Sequence, residues 1–232
     1  MKTIKVRNFA KRDQDRAYQI WKNGMTEDVG ELFIEYFMAK SRVKIVLIVI
    51  FILPFFTASS YWKFIGIIID SAIVGIIHFY AYWIGRDYVD SRTDMLTIQQ
   101  SWKDTFLVAD LYEDNQYVGV CGTISYKSRV SGKSFNGNSL DNKIWEIYSL
   151  STDKRARGLS VAKKLVAEVE KRAHDDDCDV ILETWTALYP AVRLYGKLNY
   201  ELSEVQSKKE TFLEKIMQFI LPIYITVCLK KL

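Results

Sequence analysis

Residues 144–174 constrain this chain more than any other stretch. Residues 144–152, Ile-Trp-Glu-Ile-Tyr-Ser-Leu-Ser-Thr, mix β-formers and aromatics over a strand's length. Residues 153–160, Asp-Lys-Arg-Ala-Arg-Gly-Leu-Ser, form a short basic loop with one glycine. Apolar residues then recur at helical spacing at Leu159, Ala162, Leu165, Val166, Val169 and Ala173, while Lys163, Lys164, Glu168, Lys171 and Arg172 take the other face. A strand feeding a helix through such a turn gathers free backbone N–H groups and the positive end of a helix at one point. That combination is an anion site, suited to phosphate.

The second constraint is an abrupt change of composition after Arg42. Residues 45–56 are an unbroken apolar run containing Pro54, and residues 64–84 are a longer one interrupted by Asp70 and His78. The first is shorter than a bilayer span and the second about span length. Two readings follow: a pair of buried core helices, or a helical hairpin or re-entrant pair in a membrane. Tyr and Trp at the edges of the runs favour the membrane. Lys40, Arg42 and Lys44 precede the pair, Arg86 follows it and only Lys63 lies between, so both ends are expected on the cytosolic side. Asp70 is either a functional intramembrane acid or a hydrogen-bonded or interfacial carboxylate.

Around these two features the chain alternates strand and helix. Residues 3–7 suit a strand, Asp13 is an expected N-cap for a helix through Met25, and 28–40 are amphipathic. Residues 88–102 are polar and connect onward. Residues 105–111 and 117–126 flank Glu113-Asp114-Asn115-Gln116 as a hairpin. Residues 127–142 are a loop, either a flap over a site or a surface excursion. Strands are expected at 179–184, 199–206 and 221–230, with a short helix at 189–198; residues 211–220 fit helix or strand. The expected fold is α/β (α+β), divided as 1–41 (first strand and helices), 42–86 (hydrophobic hairpin), 87–104 (connector) and 105–232 (core domain).

Composition removes several functions. A net charge of +4 with no recognition motif argues against a nucleic-acid partner. His78 and His174 stand far apart without other ligands, so no metal site is expected. Cys121, Cys178 and Cys228 form no CxxC pair and suit reduced, packed thiols.

Arg155-Ala156-Arg157-Gly158-Leu159-Ser160 resembles the R/Q-x-x-G-x-G/A signature of the GNAT acetyltransferase superfamily, with Ser160 in place of Gly or Ala. A strand with Glu146 before it, Leu182-Glu183-Thr184 after it, and Leu194-Tyr195-Gly196-Lys197-Leu198-Asn199-Tyr200 are similar to that family's other elements. In the last of these, Asn199 and Tyr200 replace Gly and Phe. The hydrophobic insertion and the opening 7–13 segment resemble the camello group, which includes membrane-bound cysteine S-conjugate N-acetyltransferases. The resemblance implies a mixed, mainly antiparallel sheet flanked by helices, acetyl-CoA as donor, an amine acceptor and residence in the endoplasmic reticulum membrane with the catalytic domain facing the cytosol. The acceptor is open between a cysteine S-conjugate and a protein lysine. A degenerate CoA-binding membrane scaffold is the alternative from a different class.

Each site residue has a physical reason. Backbone N–H groups from Arg157, Gly158, Leu159, Ser160 and Val161 suit a pyrophosphate, and Gly158 lets the backbone come close. Arg155 and Arg157 either touch phosphate or face solvent, and Ser160 suits a phosphate donor or a helix cap. Leu150 and Ser151 offer backbone partners to the pantetheine amides. By resemblance Tyr195 is the acid near the sulfur, with packing of its helix as the alternative. Glu146 is the expected base, or else a strand carboxylate with a structural partner. Direct attack in a ternary complex needs no enzyme nucleophile.

Overall fold

A computed structural model describes residues 1–28, 85–135, 138–140, 143–205 and 225–232, with isolated positions between 32 and 83. Most of the hydrophobic pair, most of the 28–40 segment and residues 211–220 lie outside the described residues. Among those described, no helix is long and apolar enough to cross a membrane.

The chain begins with β1 (Lys2–Asn8) and helix α1 (Gln14–Asn23), which runs on into a wider turn over Gly24–Asp28. β2 (Phe106–Glu113) and β3 (Gln116–Lys127) follow, joined where Asp114 and Asn115 both take left-handed backbone. That turn matches the twist of the two strands, and Asp and Asn accept it at low cost. A small hairpin, β4 (Ser134–Phe135) and β5 (Asn138–Ser139), occupies the 127–142 loop. Next come β6 (Ile144–Ile147), β7 (Ser151–Thr152), α2 (Val161–Asp175), β8 (Asp179–Trp185), α3 (Tyr189–Lys197), β9 (Glu201–Val205) and β10 (Ile225–Lys230). The main sheet runs β1-β2-β3-β6-β8-β10-β9, with β7 also paired to β3. Every pairing is antiparallel except β6 with β8. A parallel neighbour requires a crossover, and α2 supplies it.

Both faces of β2 are covered, so its first six residues are all buried. On one face Leu107, Ala109 and Leu111 meet Val161, Leu165, Val166, Val169 and Ala173 of α2. A side chain at Gly122 of β3 would place its Cβ 2.5 Å from Val161 and 3.1 Å from Leu165, so this glycine sets how closely α2 sits on the sheet. On the other face Phe106, Val108 and Val120 pack with Ala17, Ile20 and Trp21 of α1 and with Val89, Met95, Ile98 and Trp102. The 87–104 stretch is therefore part of the core as well as a connector. Its apolar residues are spaced irregularly through turns at Thr93–Met95 and Ile98–Ser101 and hide in a polar composition.

The chain also closes on itself here. A Cβ on Gly85 would lie 2.4 Å from the carbonyl oxygen of Met25, so the chain resumes at 85 beside the point it reached at 25.

Asp13 does not act as the expected N-cap, since its side chain makes no cap hydrogen bond to α1. Its buried carboxylate instead accepts from Arg7 Nη1 at 2.6 Å and Nη2 at 3.0 Å and from the Ala10 N–H at 2.8 Å. The same guanidinium grips Asp110 of β2 at 2.6 and 3.0 Å. Burial alone would raise the Asp13 pKa, but the Arg7 and Ala10 hydrogen bonds outweigh it and hold the carboxyl below its ordinary value. A depressed carboxyl stabilises the fold above its unfolded pKa of about 3.9 and loses that contribution as pH falls through the folded value. Arg7→Met should cost about 3 kcal/mol, the low end for breaking a buried pair, because the Arg7 side chain keeps 27% of its surface exposed. Urea unfolding should show the largest wild-type advantage above about pH 4, shrinking below it. An advantage independent of pH would contradict the ion-pair account.

Candidate active site

The site begins with a strand that breaks. β6 pairs with β8 in parallel from Ile144 opposite Asp179 to Ile147 opposite Leu182. Between its pairings with β3 at Ile147–Tyr126 and Ser151–Thr123, the strand has three residues, Tyr148, Ser149 and Leu150, facing two, Ile124 and Ser125. This is a β-bulge, and it turns the chain toward β3 and away from β8. Backbone bonds from Tyr148 N–H to Ser125 O at 2.8 Å and from Leu150 N–H to Tyr148 O at 3.1 Å fix it. The Ser149 N–H donates to Ser125 Oγ at 3.1 Å.

From the other side Arg92 holds the bulge, donating to Ser149 Oγ at 3.2 Å. Arg92 is itself fixed by a two-point pair with Asp94 at 2.8 and 2.9 Å and by the Tyr88 hydroxyl. Its guanidinium lies within 6.0 Å of the ring centres of Trp21, Tyr88 and Trp102.

β8 keeps β10 on its far side, so where β6 departs a cleft of ≈ 420 Å³ opens. Glu146, Ile147, Tyr148 and Leu150 form one wall and Glu183, Thr184 and Trp185 another. Leu188, Ala191 and Tyr195 of α3 and Met25, Tyr88 and Arg92 complete the lining with Ile225. Glu146, Tyr195 and Leu150 thus meet in one cavity. Ser151 is buried beside Gly24, and its hydroxyl has no hydrogen-bond partner among the described residues.

Glu146 is 3% exposed. Its Oε2 accepts from the Tyr148 hydroxyl at 2.5 Å, and its Oε1 lies 2.6 Å from Lys133 Nζ. It therefore has structural partners and also faces the cleft, which joins the two sequence alternatives. Tyr195 is buried, and desolvation, aided by nearby Cys228, raises its pKa, so the phenol holds its proton. Burial likewise pushes the Cys228 thiol up to about 12 and the Cys121 thiol up to about 11. Neither is a ready nucleophile.

The basic turn lies beyond Thr152. Asp153 caps its first half, accepting from the Arg155 N–H at 2.9 Å and from the Arg155 guanidinium, and Arg16 of α1 also pairs with it. Those Arg155 bonds, foremost, hold the Asp153 carboxyl below its usual pKa. Arg155 is exposed and bound to Asp153, and Arg157 is exposed too. Gly158 has φ of +80°, and among the described residues nothing lies within 4 Å of where a Cβ would stand. Leu159 is half-buried and Val161 buried at the start of α2. Ser160 occupies the N-cap position of α2 but in left-handed conformation, with φ of 59°, and its hydroxyl makes no cap bond. The capping role is therefore absent, and the hydroxyl stands exposed beside the first-turn N–H groups that lack intrahelical acceptors.

A family model described as acetyltransferase (GNAT) family matches residues 76–200. This chain belongs to that family. It is similar to N-acetyltransferase 8F1 of Rattus norvegicus, 26% identical over 202 residues that cover 84% of this chain and 85% of the relative. N-acetyltransferase 8 of Mus musculus is 25% identical over 208 residues, 87% of this chain and 86% of its own. In fold it is similar to a Salmonella typhimurium acetyltransferase solved with its cofactor acetyl-CoA, at a TM-score of 0.50 and 12% identity over 99% of this chain and 94% of that one.

Three residues of the cleft, Tyr148, Arg92 and Glu183, and Lys133 in the cavity next to it have no role in the sequence reading. Tyr148 stands two residues after Glu146, the spacing that returns a strand side chain to the same face. Glu183 falls within Leu182-Glu183-Thr184, where the motif gives it no role of its own. Nothing in the local pattern distinguishes Arg92 or Lys133.

Proposed function

We propose that this protein is a membrane-anchored N-acetyltransferase that moves an acetyl group from acetyl-CoA to an amine by direct attack in a ternary complex. The observation that carries this reading is the meeting of Glu146 and Tyr195 in one cleft opened by the bulge. The turn at Arg157, Gly158, Leu159, Ser160 and Val161 takes the pyrophosphate through backbone N–H groups, with Arg155 and Arg157 adding charge at its rim. Leu150 and Ser151 take the pantetheine amides along the wall that β8 leaves unpaired. Glu146 accepts a proton from the attacking nitrogen, and Tyr195 donates to the departing sulfur.

An active enzyme, in preference to a degenerate scaffold, is supported by how the departures from the family pattern behave. Ser160 and Asn199 both adopt left-handed backbone, with φ of 59° and 64°, so the turns survive without glycine. Membrane attachment in the endoplasmic reticulum is supported by the family resemblance and by exposed Ile68, Phe79, Tyr82 and Trp83 within the apolar stretch. Because the chain leaves at Met25 and resumes at Gly85 beside the cleft, an amphiphilic acceptor such as a cysteine S-conjugate suits the site better than a polar one. A protein lysine remains the rival acceptor.

Detergent-purified protein should release thiol from acetyl-CoA with at least one of S-benzyl-cysteine, a lysine peptide and benzylamine, most strongly with the first. Binding of CoA without turnover of any amine would leave only the scaffold. Tyr195→Phe should lower kcat by about 10²-fold or more with little change in acetyl-CoA affinity; unchanged kcat would remove Tyr195 from the chemistry. Gly158→Trp should abolish acetyl-CoA binding in calorimetry, and undiminished binding would displace the phosphate from this turn. Alkaline carbonate should leave the full chain in the membrane pellet, whereas release to the supernatant would favour buried core helices.

A further inference from the structure

Lys133 lies outside every motif, yet its amine is held at the chemistry. Its Nζ is 2.6 Å from Glu146 Oε1 and 3.1 Å from Glu183 Oε1. Both carboxylates line the cleft that also holds Tyr195. Lys133 itself lines a neighbouring cavity of ≈ 520 Å³ that shares Glu146 and Tyr148 with the cleft. Its side chain is only 26% exposed, although it comes from the loop ahead of β4. An acetyltransferase acceptor is an amine positioned against a base beside the thioester, and positioning alone converts a bimolecular step into a unimolecular one. Lys133 has the amine, the base contact and the location. A base already bonded to an ammonium also cannot readily take a proton from another amine, so the Lys133 contact and the turnover of free acceptors compete for Glu146.

We propose that Lys133 is a self-acetylation site, modified from acetyl-CoA in the protein's own cleft. The inference rests on the acetyltransferase reading above. The Lys133 ammonium gives a proton to Glu146, and the freed lone pair attacks the thioester carbonyl carbon. The C–N bond forms and the C–S bond breaks. The thiolate takes a proton from Tyr195, which recovers it from the acetylated nitrogen, and Glu146 passes its proton to water. The net reaction converts lysine ammonium and acetyl-CoA into N-acetyl-lysine, CoA thiol and one proton. The product amide is neutral, so both ion pairs are lost and Glu146 keeps only its Tyr148 partner. Burial disfavours the Lys133 charge, but the Glu146 and Glu183 contacts outweigh it and raise its pKa. The reaction is accordingly slow beside turnover of a neutral acceptor.

Full-length protein in detergent, incubated with acetyl-CoA and no added amine, should gain acetyl at Lys133 by peptide mass spectrometry. Lys143, 70% exposed and bonded to Asp177, is the internal control for chemical acetylation. Lys133 occupancy should outrun Lys143 by at least about tenfold, at a first-order rate unchanged over a tenfold range of protein concentration. Tyr195→Phe should slow it in parallel with acceptor turnover. Lys133 acetylation already present in the purified wild type and missing from Tyr195→Phe supports the same conclusion. Lys133 modified no faster than Lys143, or equally in Tyr195→Phe, is chemical acetylation and overturns the proposal. Unmodified Lys133 in a preparation that acetylates S-benzyl-cysteine overturns the self-acetylation alone. Absence of both reactions overturns the enzyme reading and this inference with it.

Discussion

The parting of β6 and β8 after Ile147 and Leu182 is the constraint on which the rest of the structure depends. One surplus residue in the strand opposite β3 turns the chain aside, and the cleft is the space it vacates. Two parallel strands that stayed paired would leave no cleft between them, and their backbone groups would be spent on each other. The bulge moves the strand without breaking its attachment to the sheet, because β7 resumes pairing with β3 at Ser151 and Thr152. The glycine turn and α2 follow at once, so that turn is indexed to the cleft by a few residues of chain.

A bulge is a weak point in a ladder, and both cores are arranged to hold this one. Beneath it Gly122 lets α2 sit against β3, with Val161 and Leu165 fixing the depth. Above it Arg92 reaches Ser149 from a setting of three aromatic rings and Asp94, which also receives the Trp102 indole N–H at 2.8 Å. Arg16 ties α1 to Asp153 at the start of the basic turn, so the first helix braces the same stretch of chain. Arg7 does for the sheet edge what Arg92 does for the bulge, joining β1, β2 and the entry to α1 through Asp110 and Asp13.

The regular parts of this fold were legible in the sequence because their periodicity reports their burial. α2 announces itself by Leu165, Val166, Val169 and Ala173, and β8 by Val180, Ile181 and Leu182, all of which are buried. The 87–104 stretch was not legible as core, since Val89, Met95, Ile98 and Trp102 are spread over short helical pieces and turns too brief to give a period. The Asp13 cap failed because a long-range cation, Arg7, competes better for the carboxylate than a local N–H does. Within the site, Glu146, Leu150 and Tyr195 line one cleft and the 155–161 turn lies apart from it, while Lys133 and Arg92 owe their places to tertiary contacts that no local pattern encodes. The bulge itself shows only as an extra residue between two pairings, which requires the partner strand to be seen.

The proximity of Gly85 to Met25 has a consequence for how the chain is put together. Departure and return occupy a single point, so closing the excursion between them imposes almost no geometric demand on the sheet, whatever the excursion's length. The folded domain thus meets both ends of the 26–84 stretch at one place. Replacing the stretch by a linker of a few residues would ask the domain to span only a contact distance.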